Sequence, residues 1–433
     1  MSDVPDASPE QAPGQRRWIV VAETAAASAG VSKRARHDAI TLLRAGERVT
    51  VVSSDAARVV EWLRPHLSAA QLERLQVESF DIKAQPLTIP ERIALRVARI
   101  TRRSDLYEDI DHVCHTRALA RAAAVALGRL ALDPAGDAVI AHGSEFVHAT
   151  RRAYPGATPP ILYVIHSMIN ERAASGANPY GPVSTAFLHR SEGDALRAAH
   201  SVMPVAEAMA RAAHALQPRI REVRVIYNSI DEPAALDGDA PPRDLDVLYV
   251  GRLSPEKGID TLLGAVEQLG AGVRLTIVGH GSLAYQVKVK AAAMPERIEY
   301  MGARAQPEVL ALMRRARVAV VPSYSDPFPF TVLEALSQAT PVVASAVSGI
   351  PEVVKERENG LLVAPGDSAA LARAIMHLLS DQGLWSRLSV GAASTAAAFS
   401  LTSREGAVLA SYRASVGLVM GVQAGTNVGA GVG

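Results

Sequence analysis

The sequence predicts an α/β protein of two doubly wound, Rossmann-like domains facing a cleft. Three observations predict it. Short apolar runs alternate with helical patterns along the chain, and parallel strands need such helical crossovers. The alternation stops in a Pro- and Asp-rich stretch, "NSIDEPAALDGDAPPRDLD", and then restarts. The 433 residues exceed one ordinary core but suit two of about 200 each. The expected boundaries are a disordered leader at 1–16, an N-terminal domain at 17–228 and a linker at 229–245. A C-terminal domain at 246–400, a terminal helix at 401–419 crossing back over the linker, and a disordered tail at 420–433 complete the chain.

The first element is the run "RRWIVVAE", whose continuous apolar character suits a strand buried on both faces. A small-residue loop follows, then a helix with Val31, Ala35, Ala39, Leu42 and Leu43 at helical spacing. "ERVTVVSSD", "DAVIAHG", "PPILYVIHSM" and "SVMPVA" read as later strands of the same sheet. Beyond the linker come strand "VLYVG", a helix over 258–269, strand "RLTIVG", a helix over 283–293, strand "IEYMG", a helix over 306–316 and strand "VAVVPS". A helix at 331–338, strand "PVVAS" and helices beyond Ser368 close the second domain. The stretch "PERIALRVARITRRS" (90–104) is basic and amphipathic, with Arg92, Arg96, Arg99 and Arg103 at helical spacing. It suits a helix covering the core with Ile93, Val97 and Ile100, or one resting on an anionic membrane. The core reading is the simpler.

Composition removes several classes of function. Lys plus Arg (45) and Asp plus Glu (44) nearly cancel, whereas a protein that grips nucleic acid needs a basic excess. Cys114 is the only cysteine, so no internal disulfide forms, and a reducing cytoplasm is the expected home. No apolar run approaches the roughly 18 residues of a membrane span, and the N-terminus lacks a signal-peptide pattern.

Four stretches carry candidate chemistry. "VGRLSPEKG" puts Arg252 and Lys257 just past a strand's carboxyl end, where open α/β sheets bind ligands. Two cations there suit a diphosphate, although an ordinary solvated turn would look the same. "IVGHGSLA" matches a dinucleotide fingerprint, with Glu299 twenty residues after Gly279. Glu299 falls inside a strand pattern, however, so Gly279 and Gly281 read as a tight turn near a phosphate or sugar. In "SYSDPFPFTVLEALS", Asp326 and Glu334 bracket a Phe-Pro-Phe turn. Thr331 to Glu334 matches a capping box, which alone would explain the glutamate. The free N–H groups of that helix start equally favour an anion, leaving the two carboxylates for hydroxyls. His166 ends "PPILYVI" and precedes a Gly/Asn/Pro-rich loop containing Glu171; His142 ends "AVIAHG" similarly.

No metal site is expected. The D-x-D pairs at 244–246 and 109–111 lie before a strand and within a helical pattern. "DIDHVCHTRA" gathers Asp111, His112, Cys114 and His115, which fits a charged helix face better than a four-ligand site.

Taken in order, these stretches resemble the retaining GT-B glycosyltransferases of family four, over about residues 18–417. The resemblance is carried by Ala29-Gly30-Val31, the strand ending in His166, "VIYNSID", "VGRLSPEKG", "IVGHG", "YMG", the two-carboxylate segment and "GIPEVV…ENGLLVAPGD". It implies that Arg252 and Lys257 hold a nucleotide diphosphate, that Glu334 binds the ribose and that Asp326 meets the donor sugar. Phe330 and Thr331 would offer backbone N–H groups, Gly30 would admit the diphosphate, and Gly279, Gly281 and Phe328 count as further donor contacts. His166 would lie by the reacting sugar, joining Asp326, Arg252 and Lys257 as the catalytic set. Asp326 stands where the family usually has glutamate, and Pro329 where it usually has glycine.

Acceptor contacts are sought at Lys33, Arg34, His37 and Glu171. The function implied is transfer of a sugar from a UDP- or GDP-sugar, with no obligatory cofactor, to a small polar acceptor, such as a specialised (antibiotic-type) metabolite. Alternatives on the same fold are a nucleotide-sugar epimerase, a phosphorylase, a donor-binding sensor, or a transferase acting on lipid at a membrane surface through 90–104.

Overall fold

The computed structural model describes residues 16–23, 30–100, 104–176, 178, 180–232 and 242–419. The expected leader (but for Arg16), the tail, Ala29, Arg103 and most of the linker lie outside the described residues.

Two six-stranded parallel sheets form the architecture. The first comprises β1 (Arg17–Val21), β2 (Arg48–Ser53), β3 (Leu75–Ser79), β4 (Asp137–Ala141), β5 (Ile161–Ile165) and β6 (Ser201–Pro204), in the order β3-β2-β1-β4-β5-β6. The second comprises β7 (Leu245–Val250), β8 (Leu275–Val278), β9 (Ile298–Gly302), β10 (Ala316–Val321), β11 (Val342–Ser345) and β12 (Gly360–Val363), in the order β12-β11-β10-β7-β8-β9. Each order is the doubly wound one, reversing direction once, between β1 and β4 and between β7 and β10. Crevices open at the carboxyl ends of the strands at such reversals, and ligands bind there.

Central strands are buried on both faces. Ile19, Val20 and Val21 are fully covered, as are Val139, Ile140 and Ala141 beside them. The edge strands β3 and β12 escape sequence reading. β3 reads "LQVES", half-buried and lacking an apolar run, while β12 is four residues long.

Two structural details differ from expectation. The helix Ile89–Ile100 buries Glu91, Leu95 and Ala98, and leaves Ile93, Val97 and Ile100 exposed. Its apolar stripe therefore does not cover the core. Asp246 lies inside β7, not before it, and accepts the Arg274 N–H at 3.1 Å. Asp109 does lie in a helix, Ser104–Gly128, where it accepts the backbone N–H groups of Val183 and Ser184 and so caps the helix Pro182–Ala198.

The two sheets share one continuous apolar cluster, from Val21 and Ile140 to Phe328, Val332 and Leu336. The chain crosses between them twice. Ile230 and Ser400 form a parallel bridge, with Ile230 N–H on Phe399 O and Leu401 N–H on Ile230 O. After the second crossing, the helix Leu401–Val419 packs on the N-terminal half. Its Tyr412 is fully buried against Trp18, and Ser415 Oγ lies 3.1 Å from Ser201 Oγ.

Candidate active site

The carboxyl edge of the second sheet is built by backbone packed on backbone. A Cβ at Gly279, where φ is 148°, would fall 1.8 Å from Gly251 O, and one at Gly281 would fall 2.3 Å from Leu253 O. Only glycine allows the β7 and β8 loops to meet this closely. That accounts for both glycines without a dinucleotide, and Glu299 lies within β9, 3.6 Å from Arg274. The contact presents Arg252, whose side chain is 65% exposed and has Glu256 at 3.7 Å. Lys257, at the end of the 3-10 turn Pro255–Lys257, donates to Asp326 Oδ2 at 2.6 Å. Asp326 follows β10, on the other side of the strand-order reversal, and is nearly buried.

The helix Phe330–Ser337 starts beside this pair. Pro329 is its N-cap and supplies no side-chain cap, and Thr331 already lies within the helix. The capping box anticipated between Thr331 and Glu334 therefore does not form. Glu334 instead accepts from Lys33 Nζ, across the cleft, and from Gln306 Nε2 at 3.0 Å. The first-turn N–H groups are left without side-chain acceptors, which is the arrangement that attracts an anion.

Opposite stands the helix Gly30–Arg44. A Cβ at Gly30 would lie 3.3 Å from the Phe330 ring, so the starts of the two helices face each other across the cleft. Lys33 adds a cation–π contact, its Nζ 5.5 Å from the Phe330 ring centroid. A cavity of about 580 Å³ opens beside Glu334, lined by Lys33, Arg36, Asp231, Arg304, Gln306 and Phe330 among others.

His166 ends β5 and stacks on His142, which ends β4, with Nε2 of the one 3.0 Å from Nδ1 of the other. His142 Nε2 lies 3.2 Å from Asp38 Oδ2, and Asp38 Oδ1 accepts from Arg34 Nε at 2.8 Å. Arg34 also donates to the carbonyls of Ile226 and Tyr227 and to Tyr412 Oη. Burial would raise the Asp38 pKa, but the Arg34 charge overrides it and holds it at about 2. Burial, with His142 beside it, pushes His166 well below the usual imidazole range, so the ring is neutral. A proton on His142 Nε2, facing Asp38, would leave His142 Nδ1 to accept from His166 Nε2–H and His166 Nδ1 as the basic atom.

The structure thus brings together Arg252, Lys257, Asp326, Phe330, Thr331, Glu334, Gly30 and Lys33. Glu171 joins them from the short helix Ile169–Ala174, where a loop was expected, its carboxylate accepting from the Ser325 and Ser348 hydroxyls across the cleft. Three expected contacts are engaged within the protein, although His37 also lines the cavity beside Glu334. Arg34 is 1% exposed and held inside the network above, so it reaches no acceptor. His37 is buried between Ser229 Oγ (3.2 Å) and Asp231 Oδ1 (3.1 Å), binding the linker. Phe328 is buried in an aromatic stack with Tyr227 and Phe399, where it packs the crossing and has no surface for a donor. Gln306 and Asp38 escaped the sequence reading, because their roles depend on partners in distant segments. Among the described residues no group of three or more His, Cys, Asp or Glu is placed to hold a metal ion, and no helix is long and apolar enough to cross a membrane.

Two Rossmann-like sheets with facing strand-order reversals define a GT-B architecture. Residues 237–394 match the family described as glycosyl transferases group 1. The chain is 36% identical to a glycogen synthase of Mycobacterium tuberculosis over 38% of its own length and 41% of the relative's. It is 30% identical to a D-inositol 3-phosphate glycosyltransferase of Mycolicibacterium paratuberculosis over 59% of its length and 62% of the relative's. The matches thus span about two-fifths and three-fifths of these relatives. The Anabaena protein HepE, solved with UDP-glucose, superposes with a TM-score of 0.65 at 19% identity, over 92% of this chain and all of that one. The second domain thus carries the group 1 glycosyl transferase match, and the chain as a whole has the GT-B fold.

Proposed function

We propose that the protein is a cytoplasmic, retaining glycosyltransferase that moves a sugar from a UDP- or GDP-linked donor to a small polar acceptor of the specialised-metabolite kind. One observation carries the reading: Arg252, Lys257 and the uncapped start of the Phe330–Ser337 helix converge at a strand-order reversal, flanked by Asp326 and Glu334. Departure of the sugar leaves negative charge on the diphosphate, and these fixed cations and N–H groups are already oriented to stabilise it. Lys257 turns from Asp326 to phosphate, which frees Asp326 for a sugar hydroxyl. Glu334 takes the ribose hydroxyls, and neutral His166 meets the reacting sugar from the opposite wall. Retention rests on the family resemblance, and the UDP-glucose complex of HepE supports the donor class.

Mixing the pure protein with UDP- or GDP-sugars and following free NDP tests this. Release that requires an added acceptor supports transfer. Release into sugar phosphate on adding phosphate means a phosphorylase, epimerised sugar means an epimerase, and binding without turnover means a sensor. A second reading, transfer to a lipid acceptor at a membrane surface, is favoured by the exposed Ile93, Val97 and Ile100.

A further inference from the structure

Four large apolar side chains protrude from a single helix of twelve residues, Ile89–Ile100. Ile89 is 65% exposed, Ile93 57%, Val97 51% and Ile100 70%. At 3.6 residues per turn they fall within about 80° of one another, on the side opposite the buried Glu91, Leu95 and Ala98. The helix already has an inner face: Glu91 accepts from Arg121 at 3.0 Å and from Thr88 N–H at 2.7 Å, which fixes its rotation. Exposed Arg92, Arg96 and Arg99 run along one flank of the apolar stripe. Glu91, the one acid of the helix, is on the buried side and neutralised.

We propose that this face rests on an anionic lipid bilayer, with the four apolar side chains entering the headgroup–acyl boundary and the arginines meeting lipid phosphates. An aliphatic stripe flanked by cations, on a helix of low net hydrophobicity, suits that interface. A second copy of the same face is a poor occupant, because a two-fold contact would bring like arginines together. The next helix, Ser104–Gly128, joins this face to the acceptor side. Its His112 ring stacks on Tyr180 at 4.8 Å, and its Asp109 holds the N–H groups of Val183 and Ser184. The Ile89–Ile100 helix is thus linked, through the helix Ser104–Gly128, to the segment around Tyr180. The inference is independent of the sugar-transfer reading.

The test is co-sedimentation of the full chain with phosphatidylcholine vesicles, with and without phosphatidylglycerol. Binding should require phosphatidylglycerol and weaken with salt. Arg96→Gln should reduce it roughly five-fold, the worth of one cation at such a surface. Ile93→Glu combined with Val97→Glu should reduce it at least about ten-fold, with melting temperature and UDP binding unchanged because both positions are exposed and remote from the donor residues. Wild-type protein that stays in the supernatant with phosphatidylglycerol vesicles overturns the proposal, as does a double variant that binds like wild type. A dimer in velocity sedimentation that the same double substitution dissolves would assign the face to a second copy instead.

Discussion

Glu334 stands a full turn into its helix, too far in to serve the N-cap, and its Oε1 accepts from both Lys33 and Gln306. If it grips ribose hydroxyls, Glu334→Gln exchanges a charge-assisted hydrogen bond, worth about 1.5–3 kcal/mol, for a neutral one. Titration calorimetry with UDP should then show affinity reduced roughly ten-fold or more, with little change in melting. Normal affinity with early melting would make the residue structural. Arg252→Ala should lower turnover as well as donor affinity, since the diphosphate gains charge as the sugar leaves. A second carboxylate predicts a pH effect. Glu192 is buried, and desolvation raises its pKa to about 7 from an ordinary 4.5, although it accepts the Ile169 N–H at 3.0 Å. The folded state therefore holds this proton more tightly than the unfolded one, so its contribution to stability is full below about pH 4.5 and is lost as pH rises through 7. Glu192→Gln keeps an acceptor for Ile169 and removes the ionisation. Denaturant melts should show the variant gaining on wild type between pH 5 and pH 8.5; a constant difference would contradict the assigned shift.

At the scale of elements, helix termini and strand ends do most of the positioning. The helix Glu207–Leu216 has no cap of its own; Glu352 of the other domain accepts the N–H groups of Glu207 and Ala208, both at 2.8 Å. Glu352→Ala should cost about 1 kcal/mol of stability, the usual worth of a cap, and equilibrium unfolding would reveal an unaffected midpoint if the contact were idle. These elements also mark what could be read in advance. Central strands were legible because burial on both faces leaves an unbroken apolar run, as in "WIVV" and "VAVV". Edge strand β3 lacked that signature, and β12 carries only the short run Leu361–Val363, the last two of its residues half-buried. The site residues on the second sheet were legible because Arg252, Lys257, Asp326 and Glu334 sit close in sequence to recognisable strand ends. Arg34 was not: a cation normally stays in water, and its partners lie 192 and 378 positions away. The Ile89–Ile100 helix shows the same limit from the other side. Periodicity identifies an apolar face, not what covers it.

Across the whole molecule, the cleft is spanned by Lys33 on Glu334, by Glu171 on Ser325 and Ser348, and by Gly30 against the Phe330 ring. If a donor diphosphate passes Gly30 as proposed, it does not fit between Gly30 and Phe330 at this spacing, and binding should move the two halves about the Ile230–Ser400 crossing. Small-angle scattering should record a change in radius of gyration on saturation with UDP-sugar. An unchanged profile would count against hinge motion.

The return of the Leu401–Val419 helix to the first sheet has a consequence for how the chain is made. Arg34 leaves the ribosome early, yet Tyr412, which accepts its hydrogen bond, follows 378 residues later. At elongation speeds of roughly 5–20 residues per second, that is a wait of about 20–80 s. During it the first sheet can collapse around Ile19 and Ile140, but the guanidinium beneath it lacks its last partner and Trp18 lacks its covering ring. The domain synthesised first is completed last, and a nascent chain halted before residue 401 carries an unfinished core for a chaperone to hold.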